Sequence, residues 1–155
     1  MSKASDAWVR AWELMEDGHV EQAYAHFLQA AQAGDSDAHV AIGYLIESGD
    51  FSWLEASTAN EFYAMAAEKN NVCGLFNLGL NRLDSGAKAE AAELMARSYH
   101  AGAPDAIVYL LELFEFLEAE AFQKSELEAK LESALRRGDL SEFVESRAAA
   151  LLRRV

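Results

Sequence analysis

Asp35 and His39 stand four residues apart, a spacing that brings two metal ligands onto one face of a helix. Two ligands make no site, and an Asp at the head of an apolar-periodic run is better read as a helix cap. His26 and His100 are isolated in sequence, His19 follows a helix-ending glycine, and no His-Glu-x-x-His zinc pattern occurs. The lone Cys73 has no neighbouring His to activate it and reads as a small buried thiol. One cysteine makes no internal disulfide, which fits a reducing compartment. The run Gly74-Leu75-Phe76-Asn77-Leu78-Gly79 lacks the Lys-Ser/Thr ending of a phosphate loop and lies in a helical pattern. Glu112/Glu115 and Glu118/Glu120 imitate the paired carboxylates of a glycosidase. Solvated helix faces carry such pairs routinely, however, and nothing in the sequence raises either pKa. No enzymatic activity, cofactor or metal is expected.

The elements that carry these residues repeat. Ala38, Ile42, Gly43, Ile46 and Gly49 form a ladder that Gly74, Leu78 and Gly79 restate 36 positions later. Ala106, Leu110, Leu111 and Phe114 restate part of it after another 32, and Ala7, Ala11, Met15 and Gly18 anticipate it 31 positions earlier. A period in this range marks stacked helical hairpins or another array. Alternate helices repeat as well: Ala23, Phe27, Ala30, Ala31 and Gly34 match Ala59, Tyr63, Ala66, Ala67 and Asn70, then Ala91, Met95, Ser98, Tyr99 and Gly102. Small residues at fixed positions let helices approach closely, and the large apolar residue beside them fills the space between neighbouring pairs.

Apolar spacing predicts nine helices, over about 5–17, 20–33, 37–48, 52–69, 72–84, 87–101, 104–120, 125–137 and 139–153. Gly18, Gly34, Gly49 and Gly138 stop four of them. Ser52/Glu55 and Ser125/Glu128 have capping-box spacing, Asp139 and Glu142 can open the last helix, and Pro104 suits a first turn.

At 155 residues and 52% hydrophobic content with a single proline, the chain is expected to form one all-α domain over 1–155. The formal charge is −13. It is uneven: residues 1–120 hold 6 Lys/Arg and 20 Asp/Glu, and residues 121–155 hold 7 and 6. Such a field repels nucleic-acid phosphates and anionic membranes and attracts basic proteins or peptides. The plain alternative is that the acids keep the protein soluble. The opening residues Met1–Asp6 lack the apolar core of a secretory signal, and no stretch of 18 apolar residues is present. A cytoplasmic location is therefore expected.

The ladder resembles the Sel-one-like repeat (SLR) family, relatives of the tetratricopeptide repeats. Ala38, Ile42-Gly43, Ile46 and Gly49 fit the first half of its pattern, and Ala59, Tyr63, Ala66 and Ala67 fit the second. The junction Ala30-Ala31-Gln32-Ala33-Gly34-Asp35-Ser36-Asp37-Ala38 fits it as well. Clear repeats cover about 5–115, and a degenerate repeat and cap fill about 120–155. The resemblance implies a right-handed α-solenoid of about four stacked hairpins plus a C-terminal capping helix, in which Arg147, Arg153 and Arg154 form a polar cap. It departs at Arg82, which stands where the family has an aromatic, at Leu111, which replaces a Gly, and at Asn70, which replaces another.

In related solenoids the first helix of each hairpin lines the concave surface. Carried over, the first helix offers Asp6, Val9, Arg10, Glu13 and Glu16, and the third offers Asp37, Val40, Ala41, Tyr44 and Glu47. The fifth offers Cys73, Phe76, Asn77, Leu80 and Leu83, and the seventh Asp105, Val108, Tyr109, Glu112 and Glu115. The expected partner-binding residues are Glu13, Glu16, Asp37, Tyr44, Glu47, Phe76, Asn77, Leu80, Tyr109, Glu112 and Glu115, lining an acidic groove for a basic protein or peptide. The competing reading makes Val40, Phe76 and Val108 ordinary packing residues. Trp8 and Trp12 are expected to cover the open end of the stack, and Phe51 and Trp53 to tuck inward. The function expected is a protein-binding adaptor. The alternative is an immunity protein that neutralises a cognate bacterial toxin, a nuclease for example, by occluding its active surface. Oligomeric state is left open.

Overall fold

The computed structural model describes residues 3–117 and 122–153. Among these, all regular structure is helical. The helices are α1 (Lys3–Glu16), α2 (Val20–Gln32), α3 (Ser36–Glu47), α4 (Thr58–Glu68), α5 (Val72–Asp84), α6 (Lys88–His100), α7 (Ala106–Glu112), α8 (Lys124–Arg137) and α9 (Glu142–Leu152), with a 3₁₀ turn at Phe114–Phe116. The chain divides into two compact units, Met1–Gly74 and Leu75–Val155, with the border inside α5.

In the first unit α1 packs on α2, α2 on α3, and α3 on α4. The repeat residues form the interior. Ala23, Phe27, Ala30, Ala59, Tyr63 and Ala66 are all fully buried. Gly43 meets the ring of Tyr63 so closely that a Cβ there would lie 2.6 Å from Cε1. A Cβ on Gly74 would lie 2.5 Å from the Cβ of Ala66. Both glycines sit inside helices, where their value is the absent side chain. Asn70, by contrast, takes φ 55° at the turn after α4, the left-handed region that glycines occupy at the equivalent turns.

In the second unit α6, α8 and α9 all contact α7. Met95 fills the space over Gly79, where a Cβ would lie 2.9 Å from its Cε. Arg82, in place of the family's aromatic, pairs with Glu90 at 2.9 Å. Leu127, Leu131, Val144 and Ala148 are buried, so α8 and α9 belong to this unit's core.

Several boundaries differ from the sequence reading. Ser52 and Glu55 open no helix: α4 begins at Thr58. Phe51 is fully buried against Tyr24, Phe27 and Trp53, and bonds from Phe51 N to Leu45 O and Leu54 N to Phe51 O hold the chain in turns there. Ser125 lies inside α8, whose N-cap is Gln123. Ser141, not Asp139, occupies the N-cap position of α9, and its hydroxyl donates to Asp105 instead of capping the helix. Helix α7 ends at Glu112 rather than near 120, because the chain turns to bury Leu113 against Ala91 and Ala92. Trp8 and Trp12 stand edge-to-face on Phe27, at 5.6 and 5.1 Å. Phe51 is inside as expected, but Trp53 is 46% exposed.

Gly74→Ala is expected to destabilise. The new Cβ would meet the Ala66 Cβ and backbone, which cannot rotate away, so overpacking should cost about 2–3 kcal/mol, offset in part by about 1 kcal/mol of helix propensity. Urea unfolding should show a net loss of about 1–2 kcal/mol, whereas Ser52→Ala should change stability by less than about 0.5 kcal/mol. An unchanged midpoint for Gly74→Ala would contradict the close approach.

Candidate functional site

Local capping decides the first candidates. Asp35 adopts an extended conformation before α3 and its Oδ1 accepts from Asp37 N at 2.9 Å, the cap that its position predicts. His39 is nearly buried and turns Nδ1 to Asp35 O at 3.3 Å, not to the carboxylate. Burial lowers its pKa, the contact with the Asp35 carbonyl opposes that, and Lys69 lowers it further. His100 stacks on Phe122 at 5.3 Å. No group of three or more His, Cys, Asp or Glu side chains among the described residues is arranged to hold a metal. Cys73 is exposed, a correction to the buried thiol expected. Its neighbour Gly74 takes the inward position against Ala66, and one helical step carries Cys73 off that face. The Glu118/Glu120 pair and Arg154 lie outside the described residues.

The first unit carries the residues of α1 and α3 expected to line a groove; of these Ala41 is buried, a correction to that expectation, because it turns inward beside Ile42 and Ala38. Glu13 and Glu16 are exposed on α1, and Glu13 accepts from Arg10 at 2.9 Å. On α3, Asp37 is exposed and accepts from Asn71 Nδ2 at 2.6 Å. Glu47 is exposed and accepts from Tyr63 OH at 2.8 Å. Burial first, and then Glu47, push the Tyr63 phenol far up, so it stays a neutral donor. Tyr44 is 59% exposed. Helices α1 and α3 share a core cluster through Ala7 and Ala38. This unit holds three Lys/Arg and twelve Asp/Glu, a charge of −9 out of the chain's −13.

The second unit treats its expected site residues differently. Tyr109, expected on an accessible lining, is 1% exposed, and Val108 is fully buried. Phe76 is half-buried, edge-to-face on Tyr109 at 5.6 Å, so here the packing reading holds. The cause is α9. Ser141 N donates to Asp105 Oδ1 at 2.8 Å, Arg147 lies over the Tyr109 ring at 4.9 Å, and its Nε donates to Glu112. Burial raises the Tyr109 pKa against the opposing pull of Arg147, and the Glu112 hydrogen bond raises that of Arg147. Leu80, Tyr109 and Glu112 share a cavity of about 430 Å³ with Leu83, Leu113, Phe143 and Arg147. Asn77 is half-buried on α5, and Glu115 is exposed in the 3₁₀ turn. The sequence reading missed Phe143 and Arg147 as neighbours of these residues. Their four-residue spacing on one helix face was the available signal.

A solved structure is similar: the crystal structure of a protective antigen present in uropathogenic Escherichia coli strains and displaying an SLR fold. Identity is 27% and the TM-score 0.57, over 85% of this chain. The fold is of the SLR type. The match spans 32% of that antigen's length. No protein-family model and no curated protein matches the chain. No helix of the SLR-type fold, among the described residues, is long and apolar enough to cross a membrane.

Arg147→Ala is expected to expose Tyr109 and to leave Glu112 without this partner. A cation–π contact is worth about 0.5–1 kcal/mol and an exposed ion pair about 0.2–1 kcal/mol, so urea unfolding should show a loss of about 1–2 kcal/mol, with the Tyr109 ring signals in the NMR spectrum broadened more by a soluble paramagnetic probe. Unchanged broadening would contradict the covering role of Arg147.

Proposed function

We propose that the chain is a cytoplasmic protein-binding module that holds a basic protein or peptide against the acidic faces of its first-of-pair helices. The observation that carries this reading is the exposed Tyr44, on α3 with the carboxylates Asp37 and Glu47, in a unit of charge −9. Exposed Val9 and Trp12, on α1 with Glu13 and Glu16, extend the same chemistry. Carboxylates draw a cationic partner in, and desolvation of the aromatic and apolar groups supplies affinity. Of the three Lys/Arg in this unit, Arg10 is held by Glu13 and Lys69 donates to Gly34 O. The helical-repeat architecture supports binding rather than catalysis as the role. An immunity protein is the special case in which the basic partner is a toxin such as a nuclease, a version supported by the charge of −13.

Glu13 and Glu16 are the residues to reverse: Glu13 pairs with the exposed Arg10 on its own helix, whereas Glu47 and Glu112 hold Tyr63 and Arg147 from other helices. A labelled peptide of alternating Arg and Leu should bind the native chain with affinity that falls steeply with salt. E13K/E16K should weaken it about 5- to 10-fold, while loss of the exposed Arg10–Glu13 pair should lower stability by no more than about 0.5 kcal/mol. Equal binding by native and variant chains, or binding insensitive to salt, would overturn the reading.

A further inference from the structure

Phe143 is 77% exposed, more than any other large apolar side chain among the described residues. It stands on α9 one turn before Arg147, which lies over Tyr109. Beside it is the recess of about 430 Å³, which Leu80 and Leu83 of α5, both half-buried, line together with Leu113. Phe143 lines the same recess, so a projecting ring and an apolar hollow share one surface of the second unit. The charges around the hollow balance: Asp84 and Glu112 are set against Lys88 and Arg147, and Arg147 already holds Glu112. Phe116 is 39% exposed, with Lys88 Nζ 5.5 Å from its ring, and adds to the apolar surface. Apolar groups clustered on a surface within a charged rim mark a binding face.

We infer that this surface of the second unit pairs with the same surface of a second copy of the chain, each Phe143 ring entering the other copy's recess between Leu80, Leu83 and Leu113. A two-fold contact presents one patch on both sides, so each copy must supply both a projection and a hollow. Phe143 and the recess supply them. The rim is self-complementary in charge as well. Under a two-fold axis the Asp84 side of one rim faces the Lys88 side of the other, whereas a rim of one sign would call for a foreign partner of the opposite sign. The first unit has no such symmetry of charge, and its −9 repels its own copy. An aromatic ring that loses its water at the centre of the patch is the usual core of such an interface. The inference does not depend on the basic-partner reading, which concerns the first unit.

The test is sedimentation velocity of the full chain over a concentration series, at low and at high salt. The native chain should pass from the mass of one chain toward that of two as its concentration rises. Added salt should strengthen the association, because it screens the repulsion between two chains of charge −13 and leaves the apolar contact in place. Binding of a basic partner has the opposite salt dependence. Phe143→Ala should weaken the association at least about tenfold and, at this exposure, should leave the unfolding midpoint of the dilute chain in place. In a mixture of ¹³C-labelled and unlabelled chains, isotope-filtered NOEs should join Phe143 of one copy to the leucine methyls of the other copy's recess. A chain that stays single at every concentration would overturn the inference. So would association that survives Phe143→Ala unchanged, association that weakens with salt, or filtered NOEs that arise from the first unit instead.

Discussion

Three close helix contacts in this chain form where one partner has no side chain. Tyr63 lies over Gly43, Ala66 against Gly74, and Met95 over Gly79, each at a distance that an added Cβ would close to under 3 Å. These contacts set which face of each helix turns inward. On α3 the inward face holds Ala38, Ile42 and Gly43, and the outward one holds Tyr44 and Glu47. Tyr63 links the two. Its ring closes on Gly43, while its hydroxyl, whose pKa burial and then Glu47 raise, donates to the Glu47 carboxylate. A core contact thereby orients a surface acid.

The second unit uses similar residue types to a different end. Its α7 carries a Tyr and a Glu three residues apart, as α3 does, but α9 covers them. Val144 and Ala148 anchor α9 in the core, Asp105 holds Ser141 at its start, and Arg147 reaches back to Tyr109 and Glu112. The remaining −4 of the chain's charge belongs to this unit, and part of its acidity is answered internally by Arg147 and by Arg82 on Glu90. The contrast between a covered α7 and an exposed α3 is why we propose the first unit, rather than the second, as the place where a basic partner binds.

Features set by neighbouring residues were legible in the sequence. The Asp35 cap needs only Asp37 N, and the left-handed Asn70 needs only its own tolerance of positive φ. The buried series Phe27, Tyr63 and Met95 was legible because the repeat places each at one register position. Features set by distant packing were not. Ser52 and Glu55 have cap spacing, but burial of Phe51 among aromatics from α2 holds that segment in turns. The burial of Tyr109 depends on Arg147, 38 residues away in a segment whose resemblance to the repeat is weak. The expected face was therefore read from the repeat register alone, which is blind to a helix that folds back over it.

We propose that a basic partner lies along α1 and α3 of the first unit, with α7 covered by α9. Paramagnetic relaxation from an Arg-Leu peptide carrying a nitroxide tests it most directly. The account predicts broadening of amides around Val9–Glu16 and Asp37–Glu47, with Tyr109 and Glu112 spared. Broadening centred on Tyr109 and Glu112, or spread evenly over both units, would contradict it.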